Sequence, residues 1–212
     1  MQGLTEYIIE IKQAFKDKIK TDSGLELHLD ARHSPTLASN KNGKVVSTPL
    51  LSETPIQVGD DVVIDPTAVF NRRYRGIDED SNFLVDKEKG WYRLTPELIL
   101  LYRKDSDDKW KANGNNVFVE PIEKASETPK SSLIIMPEET KGYVEGEAIL
   151  KFPNKTLEDE GLIEDDYLYI RKERDIEYKL DGKTYWWIRD VDVLGYKPRY
   201  VGGCDPYEFS DN

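Results

Sequence analysis

Residues 7–102 and 117–196 run through the same series of short apolar strands in the same order, and a chain that repeats itself in this way is constrained to two copies of one fold before any single motif is read. The first series is Tyr7-Ile8-Ile9-Glu10-Ile11, Gly24-Leu25-Glu26-Leu27, Val58-Gly59-Asp60-Asp61-Val62-Val63-Ile64, Trp91-Tyr92 and Glu97-Leu98-Ile99-Leu100-Leu101-Tyr102. The second is Val117-Phe118-Val119-Glu120-Pro121-Ile122, Leu133-Ile134-Ile135-Met136, Glu164-Asp165-Asp166-Tyr167-Leu168-Tyr169-Ile170, Tyr185-Trp186-Trp187 and Asp190-Val191-Asp192-Val193-Leu194-Gly195-Tyr196. Val62 is matched to Tyr167 and Tyr102 to Tyr196, which makes the second copy the shorter. The runs are rich in Val, Ile, Tyr and Trp, are bounded by Gly, Pro, Asn and Asp, and have no long amphipathic helix between them. The expected architecture is all-β: a first barrel over residues 1–104, a linker at 105–113, a second barrel over 114–196 and a tail at 197–212.

Composition narrows the partners. A net charge of −11 repels nucleic-acid phosphates and anionic membrane surfaces. No apolar stretch approaches the roughly 18 residues that cross a bilayer, and Met1-Gln2-Gly3-Leu4-Thr5-Glu6 lacks a basic region followed by an apolar one. A single cysteine, Cys204, allows no internal disulfide and fits a reducing compartment. The expectation is a cytoplasmic protein that binds neither nucleic acid nor membrane.

Two long polar segments interrupt the strand pattern, residues 17–44 in the first copy and 126–142 in the second. Loops of that length inside a small domain are commonly functional. Residues 104–116 are polar and turn-rich around a lone Trp110, hence the linker, and residues 197–212 with Gly202-Gly203 read as a lightly attached extension.

These residues resemble the GroES family of co-chaperonins, the lids of the chaperonin cage. Val58-Gly59-Asp60-Asp61-Val62-Val63-Ile64 is similar to the family's Gly-Asp strand, and Gly43-Lys44-Val45-Val46 to the strand before it. Tyr7 to Ile11 and Val117 to Ile122 match its opening strand. Trp91 to Leu100 and Trp186 to Leu194 match its closing one. The second copy has Glu164-Asp165-Asp166 where the family has Val-Gly-Asp, and the roof hairpin is short in both copies. A tandem arrangement is similar to the double-domain co-chaperonin of chloroplasts, while its divergence also suits a virus-encoded lid.

The resemblance implies a protein that caps an ATP-loaded chaperonin ring, closes over unfolded clients, assembles as a homo-oligomer and catalyses nothing itself. It implies apolar clips on mobile loops, here Leu133, Ile134 and Ile135 in the second loop and Gly24, Leu25 and Leu27 in the first. A loop that orders on docking makes weak contacts, and several acting together restore affinity. The triplet also fits a short buried strand, and Leu25 and Leu27 around Glu26 also fit ordinary strand alternation. In the same family a last strand meets the first strand of a neighbour, so residues 98–102 are expected to pair with residues 116–121, and residues 191–196 with residues 7–11 of the next chain.

Other features point to no chemistry. His28, Asp30 and His33 form a loose cluster without a cysteine, read as loop residues rather than a metal site. Trp91-Tyr92 and Tyr185-Trp186-Trp187 are read as core or subunit packing, and Arg72-Arg73-Tyr74-Arg75 as an ion-pairing surface or an interface patch rather than a phosphate site. An alcohol dehydrogenase, whose fold includes a GroES-like barrel, is disfavoured by the lack of a Gly-x-Gly-x-x-Gly fingerprint and by one cysteine. No cofactor, metal or enzymatic activity is expected. The alternative to a lid is a structural or binding β-protein, for example a viral one, that has lost chaperonin docking.

Overall fold

A computed structural model describes residues 2–14, 39–70, 80–124, 142–172 and 176–199, and of residues 18–20, 26–28, 72–74 and 77–79 the backbone alone. The chain divides into two compact units, Met1–Gly114 and Asn115–Asn212. Each is mostly β, and each is built on one antiparallel sheet.

The first unit contains β1 (Tyr7–Glu10), the hairpin of β2 (Lys18–Lys20) and β3 (Glu26–His28), β4 (Asn42–Ser47), β5 (Asp61–Ile64), the hairpin of β6 (Arg72–Tyr74) and β7 (Ile77–Glu79), β8 (Leu84–Asp86), β9 (Trp91–Leu94), β10 (Ile99–Arg103) and β11 (Lys111–Ala112). Its main sheet has seven strands in the order β11-β10-β5-β4-β1-β9-β8. The second unit contains β12 (Asn116–Glu123), β13 (Tyr143–Phe152), the short helix α1 (Lys155–Asp159), β14 (Tyr167–Ile170), β15 (Ile176–Leu180), β16 (Lys183–Arg189) and β17 (Val193–Lys197). Its sheet has six strands in the order β15-β16-β12-β13-β14-β17.

Read in opposite directions, the two orders are the same but for β11. The likeness extends to single residues. Tyr7 faces Leu94 where Val117 faces Ile188. Ile9 faces Val45 where Val119 faces Leu150, and a bulge precedes both pairs, at Ile8/Ile9 and at Phe118/Val119. Tyr102 faces Val62 where Tyr196 faces Leu168. The counterpart of Val62 is therefore Leu168, one residue beyond the Tyr167 that the sequence comparison chose. A slip of one residue exchanges the two faces of a strand. Val62 and Leu168 point inward with no exposed surface, whereas Tyr167 is only partly buried.

The central strands are apolar on both sides. Tyr7, Ile8 and Ile9 are buried in β1, and Val117, Phe118 and Val119 in β12, as expected of strands covered on both faces. The first core gathers Ile9, Val45, Val62, Ile64, Leu94 and Ile99, and the second Val119, Leu150, Leu168, Trp186 and Ile188. Phe118 packs edge-on against Tyr178, ring centroids 5.4 Å apart, and Tyr178 against Trp187 at 6.3 Å, so the paired tryptophans of β16 serve opposite faces of their strand. β15 and β16 are joined by Asp181-Gly182, both at positive φ (49° and 81°), the two-residue turn whose twist suits a hairpin.

Neither main sheet closes on itself among the described residues: β11 and β8 end one, β15 and β17 the other. The expected pairing of residues 98–102 with 116–121 does not occur, because β10 already lies between β5 and β11, and β12 between β13 and β16. Nor is β1 open to a neighbouring chain, since β4 and β9 take its two edges. A strand has hydrogen-bonding groups for two ladders and no more.

Residues 105–113, linker by composition, lie on the first unit. Trp110 is buried with Arg103 stacked 4.1 Å from its ring centre, β11 pairs with β10, and Asn113 donates through Nδ2 to the carbonyls of Pro96 and Ile99, 2.8 Å each. At the roof position the second unit forms α1, its N-terminus capped by buried Asn154, whose Oδ1 accepts from Leu157 N at 3.0 Å. No helix among the described residues is long and apolar enough to cross a membrane.

Candidate functional site

In each unit the long loop leaves from one central strand and returns to its neighbour in the sheet, from β1 to β4 and from β12 to β13. Its neck is closed by backbone bonding in both: Asn40 N donates to Ala14 O and Lys124 N to Gly142 O, each at 2.8 Å. The first neck is tightened by Asn40, whose Nδ2 donates to Lys12 O at 2.7 Å and whose Oδ1 accepts from Asn42 N at 3.1 Å. Polar residues at a neck settle its orphan backbone groups locally, which leaves the loop sequence free of that duty.

Beside the second neck lies a cavity of about 380 Å³ lined by Tyr143, Glu145, Gly146, Ile170, Arg171, Lys172 and Trp186. Tyr143 meets Trp186 edge-on, with centroids 5.4 Å apart at 83°. The rim is charged: Lys172 pairs with Glu145 at 3.3 Å and Arg171 with Asp192 at 3.6 Å. An aromatic floor inside a rim of paired charges can seat an apolar side chain.

Of the residues singled out in the loops, Leu27 falls in β3, where its backbone faces Ile19. Gly24, Leu25, Leu133, Ile134 and Ile135 lie outside the described residues, as do Asp30 and His33. His28 ends β3, opposite Lys18. Among the described residues no three His, Cys, Asp or Glu side chains cluster as metal ligands.

The acidic turns before β5 and β14 are one structure made twice. Asp60 Oδ2 accepts from Gln57 N at 2.8 Å, and Asp166 Oδ2 from Ile163 N at 2.9 Å. Both aspartates are buried, at 4% and 2% exposure. Gly59 at φ 95° is matched by Asp165 at φ 76°, so the second copy keeps the left-handed turn without the glycine. Asp165 also receives Lys151 Nζ at 2.5 Å, and Lys151 reaches Glu120 at 3.0 Å. Burial works against the charge of Lys151, but the hydrogen bonds to Asp165 and Glu120 outweigh it and raise its pKa. The Tyr167 hydroxyl donates to Glu147, and chiefly through that bond its pKa is pushed up to about 12.

No protein-family model matches the chain, and no curated protein is significantly similar to it.

Sequence reading passed over a further feature, on the paired strands β14 and β17 of the second unit. Tyr169, Leu194 and Tyr196 are 45%, 64% and 47% exposed, whereas Val63 and Leu100, the counterparts of the first two, have no exposed surface. Once the structure sets Val62 against Leu168, the buried residues Val63 and Leu101 are matched by Tyr169 and Gly195.

Proposed function

We propose that this protein is a co-chaperonin-type lid: two GroES-like domains in tandem that dock on an ATP-loaded chaperonin ring through apolar clips in their long loops and close it over unfolded clients. The clips are Leu133, Ile134 and Ile135 in the second loop and Gly24, Leu25 and Leu27 in the first. The observation that carries this reading is the placement of the loops. Twice, in the same six-strand order, a long polar segment with an apolar centre joins two neighbouring central strands, β1 to β4 and β12 to β13, and its neck is closed at the base. A tether held rigidly at its ends while the segment between is free to order on a partner gives reversible docking, and two such tethers per chain give avidity. Catalysis has no part in this role.

A second reading, a non-catalytic structural or binding β-protein, is favoured by β17, whose outer edge takes no strand among the described residues and whose Leu194 and Tyr196 are exposed. A pull-down with a chaperonin decides between them. Retention that requires ATP and is lost on Ile134→Asp supports the lid; no retention with either loop intact leaves the second reading.

A further inference from the structure

The two units part just after β5 and β14. Up to that point they match bond for bond: Asp65 N donates to Leu98 O at 2.9 Å, and Arg171 N to Asp192 O at 2.8 Å. Ile64 and Ile170, the residues before, are both buried, and so are Tyr92 and Trp186, which face Ile9 and Val119. In the first unit Asp65 then accepts from Thr67 N at 2.9 Å, and Pro66 opens a single 3-10 turn, Pro66–Val69. That turn packs on β9 and carries Ala68 and Val69, without exposed surface, into the core beside Ile64 and Tyr92. In the second unit the two positions are Arg171 and Lys172, whose side chains only donate and cannot cap such a turn. Arg171 pairs instead with Asp192 and Lys172 with Glu145, and Ile170 and Trp186 line the cavity of about 380 Å³. Gly146, at φ 78°, adds no side chain to its wall; a Cβ there would lie 3.4 Å from the carbonyl oxygen of Ile170.

We propose that this cavity is a binding site for a small aliphatic carboxylate. The aliphatic body follows from the first unit, where Ala68 and Val69 pack beside Ile64 and Tyr92. Against Ile170, Trp186 and the ring of Tyr143 a branched aliphatic group meets the same kind of surface. The volume lies at the small end of ligand pockets, roughly 300–1,000 Å³. The carboxylate follows from charge. Among the described residues of the lining, Arg171 and Lys172 stand against one acid, Glu145, in a chain whose net charge is −11. Their side chains are 53% and 66% exposed, so the pairs with Asp192 and Glu145 hold them weakly. A ligand carboxylate brought to Lys172 by its apolar body displaces Glu145 at little cost and makes its ion pair where water is partly excluded. A cationic ligand meets two like charges, and a neutral one leaves both cations unused. A free small acid and the C-terminal residue of a polypeptide share this chemistry.

The test is a titration of the full chain with isocaproate, read from the methyl signals of Ile170 and the indole signal of Trp186 in NMR spectra, with the methyl signals of Ile64 as internal reference. The expected result is a saturable shift at Ile170 and Trp186 and none at Ile64. Isocaproamide, the uncharged ligand of the same shape, is expected to bind about tenfold more weakly. Lys172→Gln is expected to weaken isocaproate by about fivefold, and Glu145→Gln, which removes the competing carboxylate, to tighten it by about threefold. Both substituted side chains are exposed, and the other methyl signals of the second unit report that each variant is folded. Tighter binding of acetyl-Gly-Gly-Leu than of isocaproate assigns the site to a polypeptide C-terminus, and the reverse to a free acid; each supports the site. No saturable shift up to the solubility limit of isocaproate overturns the proposal. Equal shifts at Ile64, equal affinity for isocaproamide, or affinities that neither substitution changes also overturn it.

Discussion

Asp60 and Asp166 hold their turns by accepting backbone N–H bonds inside the protein, where an unpaired donor is expensive. Asp166 accepts two, from Ile163 and from Arg199 at 2.8 Å. Asp166→Ala is therefore expected to lower stability by about 2 kcal/mol, and Asp60→Ala by less, measured as the shift in chemical denaturation of each variant. Gly59 stands at φ 95° with open space around it, so Gly59→Ala meets backbone strain alone and is expected to cost about 1 kcal/mol by the same measurement. The Tyr167 phenol gives a pH dependence whose sign is fixed. Its proton is held more tightly in the folded chain than in the unfolded one. The stability from its bond to Glu147 is thus complete below pH 10 and falls as the pH rises from 10 towards about 12. Lys151 shifts in the same direction. Denaturation followed across that range should show a decline that Tyr167→Phe makes shallower; an unchanged slope would remove Glu147 from the account.

At the scale of elements, β11 is two residues long and would not persist on its own ladder bonds. Trp110 and Asn113 hold it, one by burial against Arg103 and the other by bonds to the carbonyls around the turn into β10. Trp110→Ala is expected to lower the stability of the first unit by about 3 kcal/mol and to speed exchange of the β10 amides, while those of β12 stay unchanged. Strands β1, β4, β5, β9, β10, β12, β14, β16 and β17 were legible in the chain because apolar runs bounded by turn residues are local signals, whereas β8, β13 and β15 were passed over. The role of residues 105–113 was not legible, because a polar segment packed by one tryptophan has the composition of a linker.

At the scale of the molecule, a lid requires docking to depend on the loops rather than on the sheets. Ile134→Asp is expected to weaken chaperonin retention more than Leu25→Asp, because Glu26 already interrupts the first clip. A charge carried into an apolar groove loses its hydration without gaining a partner, at a cost of several kcal/mol spread over a multivalent ring. Binding of each variant to an ATP-loaded chaperonin, alongside circular dichroism to show that it remains folded, checks this. Equal retention of both variants and the unaltered chain would place the docking surface elsewhere.

The sequence by itself determined that the chain is β-rich and says one thing twice, since repetition and side-chain alternation are written in neighbouring residues. It marked two long polar segments, but the first, read as lacking strands, holds the β2–β3 hairpin, because a three-residue ladder is too short to show as a pattern. Only the tertiary structure decided the register between the copies, because apolar runs slid by one residue look alike in sequence while exchanging inward and outward faces. It alone showed that Asp165 takes over the turn of Gly59, that β1 and β12 have both edges occupied, and that β17, unlike β10, has one partner strand among the described residues. Such facts depend on which backbone groups find partners far along the chain, and no local pattern records that.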